Sequence, residues 1–170
     1  MSEIQIERGD ITVQEADAIV NAANEALAGG GGVDGAIHAA AGPELIAACR
    51  DIPEVHPGVR CPTGEARLTA GFELPARFVI HTVGPRYSMA DAPELLEAAF
   101  SASLTLASEH PEIHSVALPA ISCGIYGYPV DEAAPIAISV ARSSPWNLDV
   151  VRFVLFSEGH HSAFVAASRS

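Results

Sequence analysis

Four consecutive glycines, Gly29–Gly32, come almost directly before an alanine-rich stretch of helical character, Asp34–Ala41. Glycine loses more conformational freedom on folding than any other residue, so a folded domain keeps such a run where the backbone needs a positive φ or must approach another group closely. A flexible linker is the alternative interpretation, but a linker should not open into a helix. The run therefore predicts a loop that faces a ligand at the start of a helix.

Strand-like and helical stretches alternate along the chain, whose 170 residues predict one domain over 1–170. Six strands are predicted, over Ile4–Glu7, Ala18–Asn21, Ala66–Thr69, Phe78–Val83, Ser115–Pro119 and Val150–Phe156. Five helices are predicted, over Asp34–Ala41, Pro43–Arg50, Pro93–Glu109, Asp131–Arg142 and His161–Ala167. The alternation predicts an α/β domain with helices on both faces of a sheet, and places ligands outside the carboxyl ends of the strands.

The charge balance narrows the function. Acidic side chains outnumber basic ones 21 to 9, all nine basic residues are arginine, and the formal net charge is −12. A protein that binds nucleic acid in general neutralises many phosphates with cationic side chains, so this class is disfavoured. A small phosphate-bearing ligand is still allowed, because backbone N–H groups in glycine-rich turns and at helix N-termini can hold it.

The location of the protein is predicted from its cysteines and its apolar segments. Cys49, Cys61 and Cys123 are widely spaced and odd in number, and no segment like a signal peptide precedes Ile4, so we expect a reduced, cytoplasmic protein. No apolar run is long enough to cross a membrane.

Several polar side chains surround the glycine run. Asn21 and Asn24 are either turn formers that close a strand or ligand-binding amides. Asp34 stands where a helix N-cap is expected, and it could instead orient or deprotonate a water beside the ligand. His38 follows one turn later and is interpreted as a partner or packing residue. Asp131 is likewise suited to cap its helix, with Pro135 in the first turn.

A second loop, Leu118–Pro129, also lies between an apolar strand and a helix. Ser122, Gly124 and Gly127 are compatible with a backbone nest for phosphate, with Tyr126 as an aromatic lid. Cys123 has no basic group fixed beside it in the sequence, so a nucleophilic role is disfavoured. There is no Gly-x-Ser-x-Gly motif, and the histidines and cysteines lack zinc-ligand spacing.

Taken together, several stretches of the chain resemble the macrodomain family. They are Gly9–Thr12, Ile19–Asn24, Gly29–His38, Cys61–Ala66, Val79–Pro85 and Leu118–Gly127. The likeness extends over nearly the whole chain, and it is to the MacroD-type branch of ADP-ribosyl hydrolases and O-acetyl-ADP-ribose deacetylases. It implies a three-layer α/β/α domain with a mixed, six-stranded sheet and an ADP-ribose cleft over the carboxyl edge.

The resemblance also implies a role for each site residue. Asp10, beside Ile11, would accept from the adenine amino group, and Phe156 would stack on the adenine. Pyrophosphate and distal ribose would be wrapped by two loops, comprising Gly31, Gly32 and Val33 in the first and Ser122, Cys123, Gly124, Ile125 and Tyr126 in the second. Asn24 would hold the distal ribose hydroxyls, and Asp34 would be the catalytic acid/base, so that Asn24 and Asp34 form the catalytic pair.

The activity implied is hydrolysis of an ester between the distal ribose and an acidic side chain or an acetyl group. The water would be activated by Asp34 or by the substrate's own phosphate, and a reader module that binds ADP-ribose without turnover is the alternative. The implied partners are ADP-ribose, its esters, mono-ADP-ribosylated proteins and ADP-ribosylated nucleic-acid ends, with no metal or other cofactor. Cys123 departs from the threonine usual in the family, which could make the loop sensitive to oxidation.

Overall fold

The computed structural model describes all 170 residues. The six strands are β1 (Glu3–Arg8), β2 (Ala18–Ala22), β3 (Ala66–Ala70), β4 (Phe78–Thr82), β5 (Ser115–Leu118) and β6 (Val150–Leu155). The five α-helices are α1 (Gly32–Ala41), α2 (Pro43–Arg50), α3 (Ala92–Glu109), α4 (Val130–Arg142) and α5 (Glu158–Ser168). A single 3₁₀ turn, Ile11–Val13, follows β1. None of the helices is long and apolar enough to cross a membrane.

The strands form one mixed sheet in the order β1-β6-β5-β2-β4-β3. All neighbouring pairs are parallel except β3 and β4, which are antiparallel. Alternate side chains of the parallel strands face opposite helical layers: Ile19 packs with α1 and α2, whereas Val20 belongs to the cluster formed with α3, α4 and α5. Both faces of the sheet are therefore covered, as in other parallel sheets. The predicted three-layer α/β/α architecture is confirmed.

Two predicted helix caps are wrong. Gly31 is the N-cap of α1, so Asp34 is the third helical residue rather than the cap. Pro129 is the N-cap of α4, and its carbonyl accepts from the N–H groups of Glu132 and Ala133. Asp131 is thus already inside the helix, and Pro135 lies beyond its first turn. In both cases the helix starts earlier than its first acidic residue, because a residue without a capping side chain can provide the extended backbone that a cap needs.

The topology places the functional candidates along one edge. Because β1, β2, β5 and β6 run parallel, their carboxyl ends meet on the same side of the sheet. The segments that follow these ends contain Asp10, Asn24, the loop after Leu118 and Phe156. Residues far apart in sequence are thereby gathered along a single cleft.

Candidate functional site

A cleft of about 680 Å³ lies along this edge. All the predicted site residues except Cys123 line it, together with residues such as Gly30, Gly84 and His160. Cys123 packs against the hydrophobic core instead. Burial raises the pKa of its thiol to about 12, so the thiolate needed for nucleophilic attack is scarce at neutral pH. The physical environment of Cys123 thus agrees with the expectation that it is no nucleophile.

Asp34 is the buried carboxylate of the cleft, with 5% of its surface exposed. Its Oδ1 atom accepts from Asn21 Nδ2 at 2.8 Å and lies 3.3 Å from His38 Nε2. No protein group is hydrogen-bonded to Oδ2, and a Cβ atom built on Gly30 would lie 3.4 Å from it. One carboxylate oxygen is therefore held in place, while the other lies beside a glycine that leaves the approach to it open.

The glycine run forms a tight turn into α1. Gly29 and Gly32 have φ values of +80° and +58°, and a Cβ atom on Gly35 would lie 2.6 Å from the carbonyl oxygen of Gly30. The first N–H groups of a helix have no intrahelical partner, so those of the first turn of α1 are available to a ligand at the positive end of the helix dipole. The loop therefore places backbone donors beside the Asp34 carboxylate.

Asn24 braces this loop. Its Oδ1 atom accepts from the N–H of Ala28 at 3.1 Å, and its Nδ2 donates to the carbonyl of Gly29 at 2.9 Å. The turn-forming interpretation of Asn24 is therefore what the structure displays, while the side chain still lines the cleft. Contact with a ribose hydroxyl stays a prediction for this residue.

The second loop faces the first across the cleft. Ser122 has a φ of +68°, and its buried Oγ has no hydrogen-bond partner. Gly84 allows this close packing, because a Cβ atom there would overlap Ser122 Oγ. The Tyr126 carbonyl accepts from the N–H of Tyr87, and the Arg86 guanidinium lies 5.5 Å from the Tyr126 ring centroid. The connection after β4 thus packs against Tyr126, whose role as an aromatic lid stays a prediction.

The other end of the cleft combines an exposed carboxylate with an exposed ring. Asp10 Oδ1 accepts from the backbone N–H and the hydroxyl of Thr12, at 2.9 and 2.8 Å. Its Oδ2 has no protein donor, and Ile11 beside it is buried. Phe156 follows β6 and is 84% exposed. This arrangement offers a hydrogen-bond acceptor and an apolar face to a flat, polar-edged ring.

Comparison with known proteins identifies the architecture. A family model described as the Macro domain matches residues 20–137. The chain belongs to the Macro domain family. A macro domain-containing protein of Xanthomonas campestris is 59% identical over 141 residues, which cover 82% of this chain and 78% of the relative.

Solved macrodomains agree with this assignment. A mutant of the Oceanobacillus iheyensis macrodomain with ADPR matches with a TM-score of 0.93 and 42% identity, covering 99% of this chain and 92% of that one. The Trypanosoma brucei macrodomain in complex with ADP-ribose has a TM-score of 0.84 and 40% identity, covering 95% of this chain and 67% of that one.

The sequence reasoning missed three groups in this macrodomain. Asn21 is neither a turn former nor part of the cleft lining: it is a fully buried residue of β2 that contacts Asp34. His81 lies behind it in an apolar strand, and a histidine there needs buried partners, which is a signal that the sequence did offer. His160 lines the cleft and lies in the first turn of α5, which begins at Glu158 rather than at the predicted His161.

The cleft of this macrodomain contains no arginine. Its lining carries the carboxylates of Asp10 and Asp34 instead, and no group of three His, Cys, Asp or Glu residues could hold a metal ion. The donors that this lining offers an anionic ligand are therefore backbone N–H groups and helix ends, as expected from the acidic composition, together with uncharged side chains such as Ser122.

Proposed function

We propose that this macrodomain binds ADP-ribose and hydrolyses its esters, in the manner of the MacroD-type branch. The observation that carries the proposal is the asymmetric Asp34 carboxylate, whose Oδ1 is held by Asn21 and His38 while Oδ2 is left without a protein partner. A carboxylate fixed in this way is placed to act as a general base on a water in the cleft.

The ligand assignment has support at both ends of the cleft. Macrodomains 42% and 40% identical to this chain have been solved with ADPR and with ADP-ribose, and each match covers nearly the whole length of this chain. In this chain, Asp10 Oδ2 is free to accept from an adenine amino group and the exposed Phe156 ring to stack on the base. The diphosphate then lies between the two glycine-containing loops, with the distal ribose near Asn24 and Asp34.

The proposed reaction is ester hydrolysis. Asp34 Oδ2 takes a proton from water as the water oxygen bonds to the acyl carbon, and the bond between that carbon and the ribose oxygen then breaks. The ribose oxygen takes the proton from Asp34, which returns to its carboxylate form, and becomes a hydroxyl, while the acyl group leaves as a carboxylic acid that ionises. No cofactor enters this balance. The products are ADP-ribose and either acetate or a restored acidic side chain.

A substrate panel tests the proposal. The parent protein is incubated with a peptide that carries ADP-ribose on glutamate, with O-acetyl-ADP-ribose, and with an oligonucleotide ADP-ribosylated on its terminal phosphate, while release of ADP-ribose or acetate is followed. We expect turnover of the two carboxylic esters, which would mark mono-ADP-ribosylated proteins and O-acetyl-ADP-ribose as substrates. Turnover of the oligonucleotide alone would redirect the proposal to nucleic-acid ends.

The matched control is a pair of equivalent substitutions. Asp34→Asn should lower turnover by about two to four orders of magnitude, whereas Asp51→Asn changes an exposed aspartate at the end of α2 and should behave as the parent. Tight binding of ADP-ribose without any product from the parent protein would overturn the hydrolase and favour a reader module. Equal activity of the Asp34→Asn and parent proteins would exclude Asp34 as the base.

A further inference from the structure

A chain of buried side chains continues behind Asp34 into the sheet. Asn21 on β2 contacts Asp34 Oδ1 at 2.8 Å and His81 Nδ1 on β4 at 3.1 Å, both through its Nδ2 atom. His81 Nε2 in turn lies 2.9 Å from Thr69 Oγ1 on the edge strand β3. Asn21 and His81 are fully buried, and Thr69 is nine-tenths buried. Nothing in the proposed reaction uses His81 or Thr69 directly.

The hydrogen bonds of Thr69 determine which nitrogen of His81 carries a proton. Burial, reinforced by the nearby His38, lowers the pKa of His81 to about 3, so the ring is neutral and has a single N–H. Thr69 Oγ1 lies 3.0 Å from the carbonyl oxygen of Ala70, which can only accept, so we assign the single hydroxyl proton of Thr69 to that bond. With this assignment Thr69 Oγ1 accepts from His81 Nε2–H, and His81 Nδ1 is left as an acceptor.

This tautomer fixes the orientation of the Asn21 amide. Its two Nδ2 protons point to Asp34 Oδ1 and His81 Nδ1, while its Oδ1 is buried without a partner. The reverse orientation would set Oδ1 against both the Asp34 carboxylate and the lone pair of His81 Nδ1. The unpartnered Oδ1 costs free energy. The arrangement persists because the reverse orientation would lose both donated hydrogen bonds and place Oδ1 against two acceptors.

We propose that His81 is a positioning residue for the reaction: held as its Nε2–H tautomer by Thr69, it keeps the Asn21 amide donating to Asp34. This rests on the proposed function, because it assigns His81 to the orientation of the general base. His81 is fully buried and does not line the cleft. It acts through Asn21, so its loss should affect turnover and leave ADP-ribose affinity unchanged.

Two substitutions of His81 distinguish the roles of its two ring nitrogens, Nδ1 and Nε2. His81→Asn can place an amide oxygen near the site of Nδ1 and retain an acceptor for Asn21. His81→Gln places its amide near the site of Nε2, so it keeps contact with Thr69 but offers no acceptor to Asn21. Both replace a ring that also lies 3.8 Å from Cys49 Sγ, so loss of packing is common to the two variants.

Steady-state kinetics on the ester substrate supply the first measurement. We expect His81→Gln to lower kcat roughly tenfold, with KM and the Kd for ADP-ribose nearly unchanged, since one hydrogen bond to a charged centre is lost. His81→Asn should recover most of the loss. Equal losses of kcat in the two variants, or a parallel loss of ADP-ribose affinity, would show that His81 acts only through packing and would overturn the proposal.

NMR spectroscopy gives a measurement that is independent of activity. Correlation of the ring nitrogens with their carbon-bound protons should show His81 protonated at Nε2 and unprotonated at Nδ1 in the parent protein. The Asn21 side-chain amide protons should exchange slowly in the parent and in His81→Asn, and rapidly in His81→Gln. A proton at Nδ1, or unchanged amide exchange in His81→Gln, refutes the positioning role even if the parent hydrolyses no ester; failure of hydrolysis alone refutes only the proposed function.

Discussion

The two ends of the cleft each carry an aspartate, and the two residues are held in different ways. Asp10 is exposed, and its Oδ1 accepts from the backbone and hydroxyl of Thr12, two residues away. Asp34 is buried, and its Oδ1 is held by Asn21 from a neighbouring strand and by His38 one helical turn later. The same functional group is thus fixed by a local turn at one end and by tertiary structure at the other.

The difference indicates a division of roles, in which Asp10 recognises the ligand and Asp34 takes part in the reaction. An exposed carboxylate in water can accept a hydrogen bond from a ligand N–H, but nothing aligns it toward a reacting atom. A buried carboxylate with one oxygen held is aligned toward a reacting water and works in a less polar environment, where its electrostatic effect is larger. Substitutions at the two ends should therefore affect different kinetic constants.

The strongest test of this division is Asp34→Asn. Turnover of an ADP-ribose ester should fall by about two to four orders of magnitude, the usual contribution of a positioned general base. The Kd for ADP-ribose, measured by calorimetry, should be unchanged or lower because a negative charge near the ligand is removed. A loss of affinity comparable with the loss of turnover would contradict the division.

Asp10→Asn tests the opposite end. The asparagine Oδ1 can still accept from Thr12, so the turn is retained, but its Nδ2 replaces the free oxygen with a donor. ADP-ribose affinity should fall about 10- to 100-fold, in keeping with the loss of a hydrogen bond to a charged group. At saturating ester, kcat should stay close to that of the parent. A fall in kcat with an unchanged Kd would reverse the assignment of the two ends.

Phe156→Ala should weaken binding by about tenfold, because stacking of a base on an aromatic ring contributes about 1–3 kcal/mol. The ring is 84% exposed, so the Tm should change little. Ile125→Ala is a comparison in the second loop, where the side chain is fully exposed and not aromatic; it should weaken binding less. Thermal melts and calorimetry on the two variants would show whether the base end depends on the aromatic face.

Gly30→Ala should reduce turnover about threefold or more, with a smaller change in stability. Its Cβ atom would lie 3.4 Å from Asp34 Oδ2, an ordinary van der Waals distance that nevertheless covers the approach to that oxygen. Gly159→Ala is the control, because its Cβ would have no neighbour within 4 Å and Gly159 lies outside the cleft. Equal turnover in the two variants would show that Oδ2 needs no open approach.

The free energy of unfolding as a function of pH tests the buried support that His81 gives to the Asp34 end of the cleft. Folded His81 has a pKa of about 3, whereas an unfolded histidine titrates near its model value of 6.5. Between these values the unfolded chain binds the additional proton, so the stability contributed by neutral His81 is complete above pH 6.5 and is lost as the pH falls toward 3.

Urea unfolding of the parent and His81→Asn proteins between pH 6 and 5 measures this contribution. The dependence of the unfolding free energy on pH should be shallower in His81→Asn by up to about 1.4 kcal/mol per pH unit, the value for one proton. Identical slopes in the two proteins would show that His81 does not resist protonation in the fold.

Sequence reasoning located the edge of the cleft but not the network beneath it. The glycine run and the glycine-containing loop after β5 predicted two of the segments that line the cleft, whereas Asp10 and Phe156 were expected there only from the resemblance to the macrodomain family. The contact of Asn21 with His81 could not be predicted in the same way, because it depends on the register in which β2 pairs with β4. Likewise, the start of α1 at a glycine without a capping side chain gave no pattern to recognise.

The absence of arginine from the cleft has a kinetic consequence. A protein with a net charge of −12 repels a diphosphate at long range, and no arginine lines the cleft to reverse this repulsion there. Backbone dipoles act only over short distances, so they retain a ligand that has arrived but do not attract it. Added salt screens the repulsion, so encounter with an anionic ligand should become faster as ionic strength rises.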